Sequence, residues 1–334
     1  MISPVPFALS GVANRVVPCR WGKYKFGILK YIFLLCREIQ KTDPDIVHIH
    51  YAGIYEMLAA YFSNKPYVVT MMGSDILKKL DGDYNYFKKT LMLFCLKRAR
   101  LLNPVSEIIL TVIEKHIGKQ KNILKVAWGI DPDVFKPYDK KISRQKFGFE
   151  ENCLYILSPR LIKPLYNTDI IVKAFAKVSS QKNIKLILCS YNSNLDYLEK
   201  IKKLIDKLGL VEDVVILGPV KNEEMPFLYS AADVSVMIPN SDGLPISLLE
   251  SMACGLPNIL PNLPFCREVI EKDISAVCVD INVESVRSAM ELLCYNEKKR
   301  MFLSDNSRNS VANKWNFKDD VLAIEKQYFD IVCG

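Results

Sequence analysis

Short apolar, β-branched runs alternate along the chain with stretches of helical character, and this alternation limits the fold more than any other feature. In the first half, strand-like runs at 45–50 and Tyr67–Met71 enclose the helical stretch Ile54–Phe62. The second half has strand-like runs at 154–157, 184–188, Val214–Leu217 and 234–237, with helical stretches at 169–178 and 195–208. Strands separated by helices of this length form βαβ units with parallel strands. The pattern predicts an α/β protein with two doubly wound, Rossmann-like domains.

The length of 334 residues suits two domains at about 150 residues each. We expect a first domain over residues 1–138 and a second over 151–314. A linker at 139–150 belongs to the charged, proline-containing stretch 131–150, and the last residues, 315–334, are expected to form a helix that packs back on the first domain. Two doubly wound domains usually bind a ligand in a cleft that both face, at the carboxyl ends of their strands.

The first domain is expected to be incomplete at its N-terminus. Domains of this kind open with a strand and a Gly-rich turn, whereas this chain begins with Ser3-Pro4-Val5-Pro6, offers only Gly11, and has no G-x-G-x-x-G sequence. Two explanations fit this pattern: a sequence start assigned too far along the gene, or a genuinely reduced domain. We favour the first explanation.

The ten cysteines show no C-x-x-C pair, and most of them stand in apolar runs. They are typical of buried thiols in a reducing compartment rather than of a disulfide framework or a zinc site. No apolar run approaches the roughly 18–20 residues of a membrane-spanning helix, and no basic segment precedes a signal-like stretch. The sequence therefore predicts a cytoplasmic protein, with peripheral attachment to the inner face of the cell membrane as an option.

Charge is distributed unevenly between the two halves. Residues 1–150 hold 24 basic and 13 acidic side chains, a net charge of +11, and the remainder has 21 and 24, a net charge of −3. The stretch 78–100 mixes lysines and arginines with aromatic and aliphatic residues, as on surfaces that lie on anionic lipid. Solvated helix faces are the alternative. Nucleic acid is not expected as a partner, because no recognised binding module accompanies the charge.

The segment 241–257 carries the chemistry. Gly243 permits a tight turn, Pro245 suits the first helical position, and a helix is predicted from Ile246 to Cys254. The amides of Ile246 and Ser247 then lack partners within the helix and form a phosphate site. Asp242 precedes the helix, and Glu250 lies one turn into it, where a carboxylate accepts hydrogen bonds from hydroxyls. Phosphates and hydroxyls together indicate a nucleotide sugar, whereas a capping Asp242 and a solvated Glu250 are the structural alternative.

This segment, D-G-L-P-I-S-L-L-E from Asp242 to Glu250, resembles the E-x7-E segment of retaining family 4 glycosyltransferases, which have the GT-B fold. Further segments are similar to the motifs of that family in order and spacing. They are P-D-I-V-H-I-H at 44–50, T-M-M-G-S-D at 70–75, V-S-E at 105–107, W-G-I-D at 128–131, S-P-R at 158–160 and Y-S-A-A-D at 229–233. The resemblance implies a first, acceptor-side domain and a second domain that binds the nucleotide sugar.

The resemblance implies a metal-independent transfer of a sugar from a nucleotide diphosphate to a saccharide or lipid-linked acceptor, without a cofactor. Arg160 is expected to stabilise the leaving diphosphate because its planar fork suits phosphate, with Lys163 and the helix amides in support. Asp242 is assigned to the transferred sugar and to catalysis, and Glu250 to the ribose. The sequence departs from the family in having Asp at 242 for Glu, Met72 for a histidine, and a lysine at 163 that is shifted along the chain.

On the acceptor side, the candidates are His50, Gly73, Ser74 and Asp75, all near the predicted ends of two strands. A core or strand-end role is the alternative for His50, and a helix cap is the alternative for Ser74 and Asp75. No pair of aspartates stands at a strand end to hold a cation. Two other functions have the same architecture: a sugar-nucleotide epimerase or hydrolase, and a non-catalytic, membrane-associated binding subunit.

Overall fold

The computed structural model describes residues 27–82, 84–178, 183–312 and 314–334. They divide into two compact units. Unit 1 contains the described residues up to Trp128 together with Phe317–Gly334, and unit 2 contains Gly129–Asn316. The segments Ser3–Pro6 and Gly11, on which the expectation of an incomplete first domain rests, lie outside the described residues.

Unit 1 is a parallel sheet with helices around it. Its described strands lie in the order β1-β2-β3, and every residue of the central strand is buried. The strands are β1 Val47–His50, β2 Tyr67–Met71 and β3 Leu101–Pro104, and the helices are α1 Ile28–Thr42, α2 Ile54–Phe62, α3 Leu77–Leu80, α4 Tyr86–Arg98, α5 Glu107–Ile117 and α14 Phe317–Cys333. The last helix belongs to this unit although it follows unit 2 in the chain.

Unit 2 contains six strands in the order β6-β5-β4-β7-β8-β9, all parallel. The strands are β4 Leu154–Leu161, β5 Ile184–Cys189, β6 Val214–Leu217, β7 Val234–Val236, β8 Asn258–Pro261 and β9 Val277–Val279. The helices are α6 Lys140–Phe147, α7 Thr168–Phe175, α8 Leu195–Lys207, α9 Met225–Ala231, α10 Ile246–Ala253, α11 Pro264–Val269, α12 Val283–Tyr295 and α13 Glu297–Ala312. Strand order reverses between β4 and β7, and ligands bind at such a switch point in open α/β sheets.

The core of unit 2 explains why these strands are nearly continuous apolar runs. Ile156, Leu186, Val234 and Ile259 come from four adjacent strands and are fully buried, with helices covering the sheet. A strand covered on both faces has no solvent side, so it needs no polar alternation. Burying each such side chain contributes about 1.5–3 kcal/mol.

The helical and strand-like runs of the sequence appear close to their predicted bounds. The predictions for α2, β2 and β6 are confirmed to the residue. The stretch 139–150, predicted as a linker, contains helix α6, which begins where Asp139 accepts a hydrogen bond from the Ile142 amide. Its Arg144 is buried and pairs with Asp233, so this stretch is a folded part of unit 2. No helix in the described parts of the chain is long and apolar enough to cross a membrane.

Candidate functional site

Arg160 stands at an irregularity in the strand that leads to the switch point. Ser158 pairs with Leu188 in β5, but the next pair joins Leu161 to Cys189, so the register shifts over Pro159 and Arg160. Such bulges bend a strand and redirect the side chains beside them. Arg160 thus leaves the regular ladder near the carboxyl end of β4.

The Arg160 guanidinium connects three other side chains. Its Nη2 donates to Asp242 Oδ2 at 2.8 Å and to Tyr166 Oη at 3.0 Å, and its Nη1 donates to Ser247 Oγ at 2.9 Å. The guanidinium also lies 4.4 Å from the centre of the Tyr166 ring. The side chains of Arg160 and Asp242 remain 17% and 14% exposed. The charged pair is therefore fixed in position but still reached by solvent.

Asp242 lies on the loop between β7 and α10. Its Oδ1 accepts a hydrogen bond from the Gly243 amide at 2.9 Å. Burial raises the pKa of Asp242, and the Arg160 charge partly offsets that rise. Helix α10 begins at Ile246, with Pro245 just before it. The amides of Ile246 and Ser247 are therefore in the first turn, where backbone N–H groups have no carbonyl acceptor within the helix.

Glu250 is held by a buried tyrosine from α9. Its Oε2 accepts a hydrogen bond from Tyr229 Oη at 2.8 Å. Burial raises the pKa of Glu250 to about 6, against the lowering effects of the Tyr229 hydrogen bond and of the Arg160 charge. Glu250 is half-buried and its carboxylate is bonded to Tyr229, so it is not a freely solvated side chain. Arg160, Asp242, Ser247 and Glu250 form one electrostatic group at the start of α10.

Sequence reasoning missed two tyrosines of this group. Tyr229 belongs to the Y-S-A-A-D segment, which gave a signal, but no pattern pointed to Tyr166. Tyr166 ends a short 3-10 turn, Pro164–Tyr166, and Lys163 is the extended residue just before that turn. Lys163 thus brings a further positive charge three residues after Arg160.

In unit 1, the side chains of His48 and His50 in β1 lie on the same side of the sheet. Their rings stack with centroids 4.1 Å apart. His48 Nδ1 is hydrogen bonded to Tyr328 Oη of α14, and Nε2 is 2.7 Å from Thr70 Oγ1. Burial and the neighbouring His50 lower the pKa of His48 well below its usual value. His48 is thus a neutral residue that ties α14 to the sheet, whereas His50 is exposed at the strand end.

Asp75 is fully buried and its carboxylate is occupied by backbone donors. Oδ2 accepts from the Ala52 amide at 2.7 Å, and Oδ1 accepts from the amides of Gly73 at 2.7 Å and Met72 at 3.1 Å. Gly73 has a backbone φ of +142°, a value that residues with a side chain rarely adopt. Asp75 therefore holds together the loops that follow β1 and β2.

Tyr51, which follows β1, was not predicted as a site residue. It has φ +74°, an uncommon value for a bulky residue that points to a functional constraint. Its hydroxyl is 2.8 Å from Ser74 Oγ. The Lys79 ammonium donates to the Ala52 carbonyl at 3.0 Å and lies 5.6 Å from the centre of the Tyr51 ring. An aromatic ring, a hydroxyl pair and an ammonium thus meet at the carboxyl ends of β1 and β2.

Among the described residues, no group of three or more His, Cys, Asp or Glu side chains is placed to hold a metal ion. The features of unit 2 are those of a nucleotide-binding α/β domain: a strand order that reverses at β4 and β7, and a helix start, an arginine and two half-buried carboxylates at one place.

Two family models match the chain. Residues 139–310 match the glycosyl transferases group 1 model and residues 6–106 the glycosyl transferase 4-like model. The chain therefore belongs to the group 1 glycosyl transferases, the retaining family 4 enzymes with the GT-B fold. The predicted family and fold are confirmed.

Curated relatives are distant. The N-acetyl-alpha-D-glucosaminyl L-malate synthase of Bacillus anthracis is 24% identical over 300 residues, which cover 88% of this chain and 76% of that protein. The D-inositol 3-phosphate glycosyltransferase of Geodermatophilus obscurus is 23% identical over 188 residues, or 54% of this chain and 42% of that protein. The chain thus spans most of the first relative and less than half of the second.

Solved structures share the fold at low identity. The sucrose-phosphate synthase of Thermosynechococcus elongatus matches with a TM-score of 0.80 at 15% identity, over 92% of this chain and 78% of that one. Anabaena Alr3699/HepE in complex with UDP and glucose matches with a TM-score of 0.78 at 16% identity, over 90% and 82%.

Proposed function

We propose that this glycosyltransferase takes its sugar from a UDP-linked donor held by unit 2 and transfers it to a saccharide or lipid-linked acceptor that carries an anionic group. The pairing of Arg160 with Asp242 and Ser247 at the start of α10 carries the proposal. The UDP in the Anabaena Alr3699/HepE structures supports the choice of nucleotide.

In this proposal, each group of unit 2 contacts one part of the donor. Arg160, the amides of Ile246 and Ser247, and Lys163 neutralise the diphosphate, and Gly243 forms the turn that leads to those amides, its own amide being bonded to Asp242. Glu250 accepts hydrogen bonds from the ribose hydroxyls, and Asp242 contacts the transferred sugar. As the bond between the anomeric carbon and the phosphate oxygen breaks, charge develops on the diphosphate, so fixed positive groups stabilise the transition state more than the ground state. The tyrosine hydroxyls of Tyr166 and Tyr229 hold Arg160 and Glu250 in place.

The retaining reaction requires the acceptor oxygen to reach the anomeric carbon from the face that the diphosphate leaves. The acceptor oxygen forms the new bond, the diphosphate departs with the electron pair, and the acceptor proton passes to a leaving phosphate oxygen. Asp242 is paired with Arg160 and has a raised pKa, which suits a group that binds sugar hydroxyls better than one that stands as a free nucleophile.

For the acceptor, we propose that its anionic group binds at Tyr51, Ser74 and Lys79, with His50 and the Gly73 backbone alongside. The strained Tyr51 backbone and the adjacent Lys79 ammonium support this assignment. The names of the relatives fit, since L-malate and inositol 3-phosphate are both anions. Asp75 is assigned a positioning role in this proposal, because backbone amides already occupy its carboxylate.

Unit 1 also presents a surface that suits a membrane, and we propose that a lipid-linked acceptor is met there. On α4, Tyr86 and Phe87 are 86% and 74% exposed, and Lys88, Lys97 and Arg98 are exposed on the same helix. Apolar side chains with cations around them bind anionic interfaces.

A donor panel of UDP- and GDP-sugars, with the full chain, tests the proposal. Each donor is incubated with L-malate, with inositol phosphate, with a phosphate-linked lipid saccharide in vesicles, or with uncharged inositol as the neutral counterpart, and the product and the free nucleotide are both measured. We expect transfer from a UDP-sugar to one anionic acceptor. Hydrolysis without transfer would favour the hydrolase alternative, and transfer only to uncharged acceptors would refute the anionic subsite.

A further inference from the structure

Two loops of unit 2 flank the switch point between β4 and β7. The first, residues 162–167, follows β4 and carries Tyr166, and the second, residues 237–245, follows β7 and carries Asp242. Arg160 Nη2 donates to Tyr166 Oη at 3.0 Å and to Asp242 Oδ2 at 2.8 Å. The guanidinium therefore needs the two loops at one fixed separation if it is to keep both acceptors.

A pair of asparagine side chains connects the same two loops independently of the guanidinium. Asn167 Nδ2 donates to Asn240 Oδ1 at 2.8 Å and to the Ile238 carbonyl at 3.0 Å. In return, Asn240 Nδ2 donates to Asn167 Oδ1 at 3.4 Å. The backbone amide of Asn240 also donates to the Leu165 carbonyl at 2.8 Å. The loops are thus joined by side-chain and backbone hydrogen bonds together.

Asparagine suits position 167 for two reasons. Its backbone is left-handed, with φ +49° and ψ +43°, a conformation that asparagine and glycine adopt more readily than other residues. Its amide also has two N–H donors, and the Ile238 carbonyl can only accept, so Nδ2 must face that carbonyl. Glycine at 167 would keep the backbone but lose the connection, and aspartate would place an acceptor oxygen against the Ile238 carbonyl oxygen.

The asparagine pair lies next to the two residues that hold the guanidinium. Asn167 directly follows Tyr166, whose ring centre is 4.4 Å from the Arg160 guanidinium. Asn240 is two residues before Asp242 on the other loop, where its side chain is exposed. A shift of either loop would therefore move one acceptor of Arg160 relative to the other.

We propose that Asn167 and Asn240 are positioning residues for sugar transfer. They hold the two loops at the separation at which Arg160 reaches both of its acceptors. This inference rests on the proposed function, in which Arg160 neutralises the leaving diphosphate. A fixed positive group stabilises developing charge without reorganisation, so a less fixed guanidinium costs more in the transition state than in the complex with UDP. Loss of the pair should therefore lower turnover while the affinity for UDP changes little.

The test is a double-mutant cycle of Asn167→Gly and Asn240→Ala in the full chain. Calorimetry with UDP measures binding, and UDP release from UDP-glucose, UDP-galactose and UDP-N-acetylglucosamine, with the acceptors of the donor panel, measures turnover. Each single variant should lower kcat by roughly 10–100-fold and keep UDP affinity within about threefold of the wild type, since a misplacement of about 1 Å can cost about 100-fold in rate. The double variant should lose no more than the weaker single variant, because both substitutions remove one connection.

Asn64→Gly is the matched control and should turn over as the wild type does. Asn64 has the same left-handed backbone, with φ +53°, and is exposed between α2 and β2 in unit 1. It therefore reports the effect of replacing such an asparagine by glycine away from the two loops.

Three results would overturn the inference: kcat unchanged in both single variants, losses that multiply in the double variant, or UDP affinity that falls by the same factor as kcat. The last result would mean that the pair only keeps the site folded. A wild type that releases no UDP from any of the three donors would overturn the proposed function as well. Wild-type turnover with unaffected variants confines the failure to the asparagine pair.

Discussion

Arg160 Nη2 donates to Asp242 Oδ2 at 2.8 Å, so the guanidinium proposed to bind the diphosphate is held by the carboxylate proposed to contact the sugar. The two residues are 82 positions apart in the chain. Because a charge-assisted hydrogen bond is directional, we expect the pair to fix the spacing between the phosphate end and the sugar end of the proposed donor.

Substitutions of Asp242 and of Glu250 should have different effects on UDP binding and on turnover, because the two residues are assigned to different parts of the donor. Glu250→Ala should weaken binding of UDP itself by about 1–3 kcal/mol, since it removes acceptors for the ribose hydroxyls. Asp242→Asn should keep UDP affinity close to that of the wild type and lower turnover. Calorimetry with UDP and single-turnover kinetics measure the two effects. Equal losses of UDP affinity in both variants would contradict the division.

The affinity for UDP should depend on pH through Glu250. Burial raises the pKa of Glu250 to about 6, and only the ionised carboxylate accepts hydrogen bonds at both oxygens. UDP binding should therefore weaken as pH falls from 7 to 5. The matched control is Glu250→Gln, which cannot titrate and in which the titration of the ligand itself is unchanged. The difference in binding free energy between the two proteins should change with pH near 6, and a constant difference would refute the assignment.

The same raised pKa affects folding, with a definite sign. Since the folded-state pKa of Glu250 is above its unfolded value of 4.5, its protonated form stabilises the fold fully below pH 4.5, and this stability is lost as pH rises to about 6. The shift corresponds to about 2 kcal/mol. Glu250→Gln should thus gain free energy of unfolding relative to the wild type between pH 4.5 and pH 6. Urea unfolding at several pH values measures it, and parallel curves for the two proteins would contradict the prediction.

His48 should remain neutral at pH 6, where an ordinary histidine is mostly protonated. Burial and the nearby His50 lower its pKa. The stability that it contributes is present above pH 6.5 and is lost as pH falls below that value. NMR of the imidazole, assigned with His48→Gln, measures the protonation directly. A midpoint near 6.5 would show that the ring is solvated and that its contact with Tyr328 is absent in solution.

Binding to anionic vesicles should depend on the basic side of unit 1. Within the basic stretch 78–100, Lys88, Lys97 and Arg98 are exposed, whereas the Lys89 ammonium is bonded to the Leu80 carbonyl, so the first three are the better test. Replacing those three with Gln should weaken binding, at about 1 kcal/mol for each charge, and added salt should weaken it further.

The matched control replaces three exposed lysines of α8 in unit 2 with Gln: Lys200, Lys203 and Lys207. This variant should bind vesicles as the wild type does. Equal flotation of the wild type on neutral and anionic vesicles would show that electrostatic docking is wrong, and that the basic residues are only a solvated surface.

The alternation of apolar runs with helical stretches was enough to predict the βαβ units. Buried parallel strands are continuous runs of apolar residues, and such runs are visible in the sequence. Helix α6 was not predicted from the sequence, because it buries Ser143 and Arg144 rather than a stripe of apolar residues. The charged composition of that stretch therefore indicated a linker.

The site residues were predictable only where a local motif fixes them. Asp242, Ser247 and Glu250 belong to one loop and helix, so their grouping follows from helical geometry. The contact of Arg160 with Tyr166 depends on the bulge in β4, and the hydrogen bonds of Asp75 depend on two loops that are distant in the chain. Such partners are set by tertiary structure, which spacing along the sequence does not encode.

The central claim is that unit 2 binds a nucleoside diphosphate through Arg160, and calorimetry of UDP binding to Arg160→Ala tests it most directly. Lys173→Ala is the control, because Lys173 is exposed on α7 and pairs with Asp169 on that same helix. We expect UDP affinity to fall by about 1.5–3 kcal/mol in Arg160→Ala, the range for a hydrogen bond to a charged group, and to be unchanged in the control. Unchanged affinity in a folded Arg160→Ala protein would contradict the account.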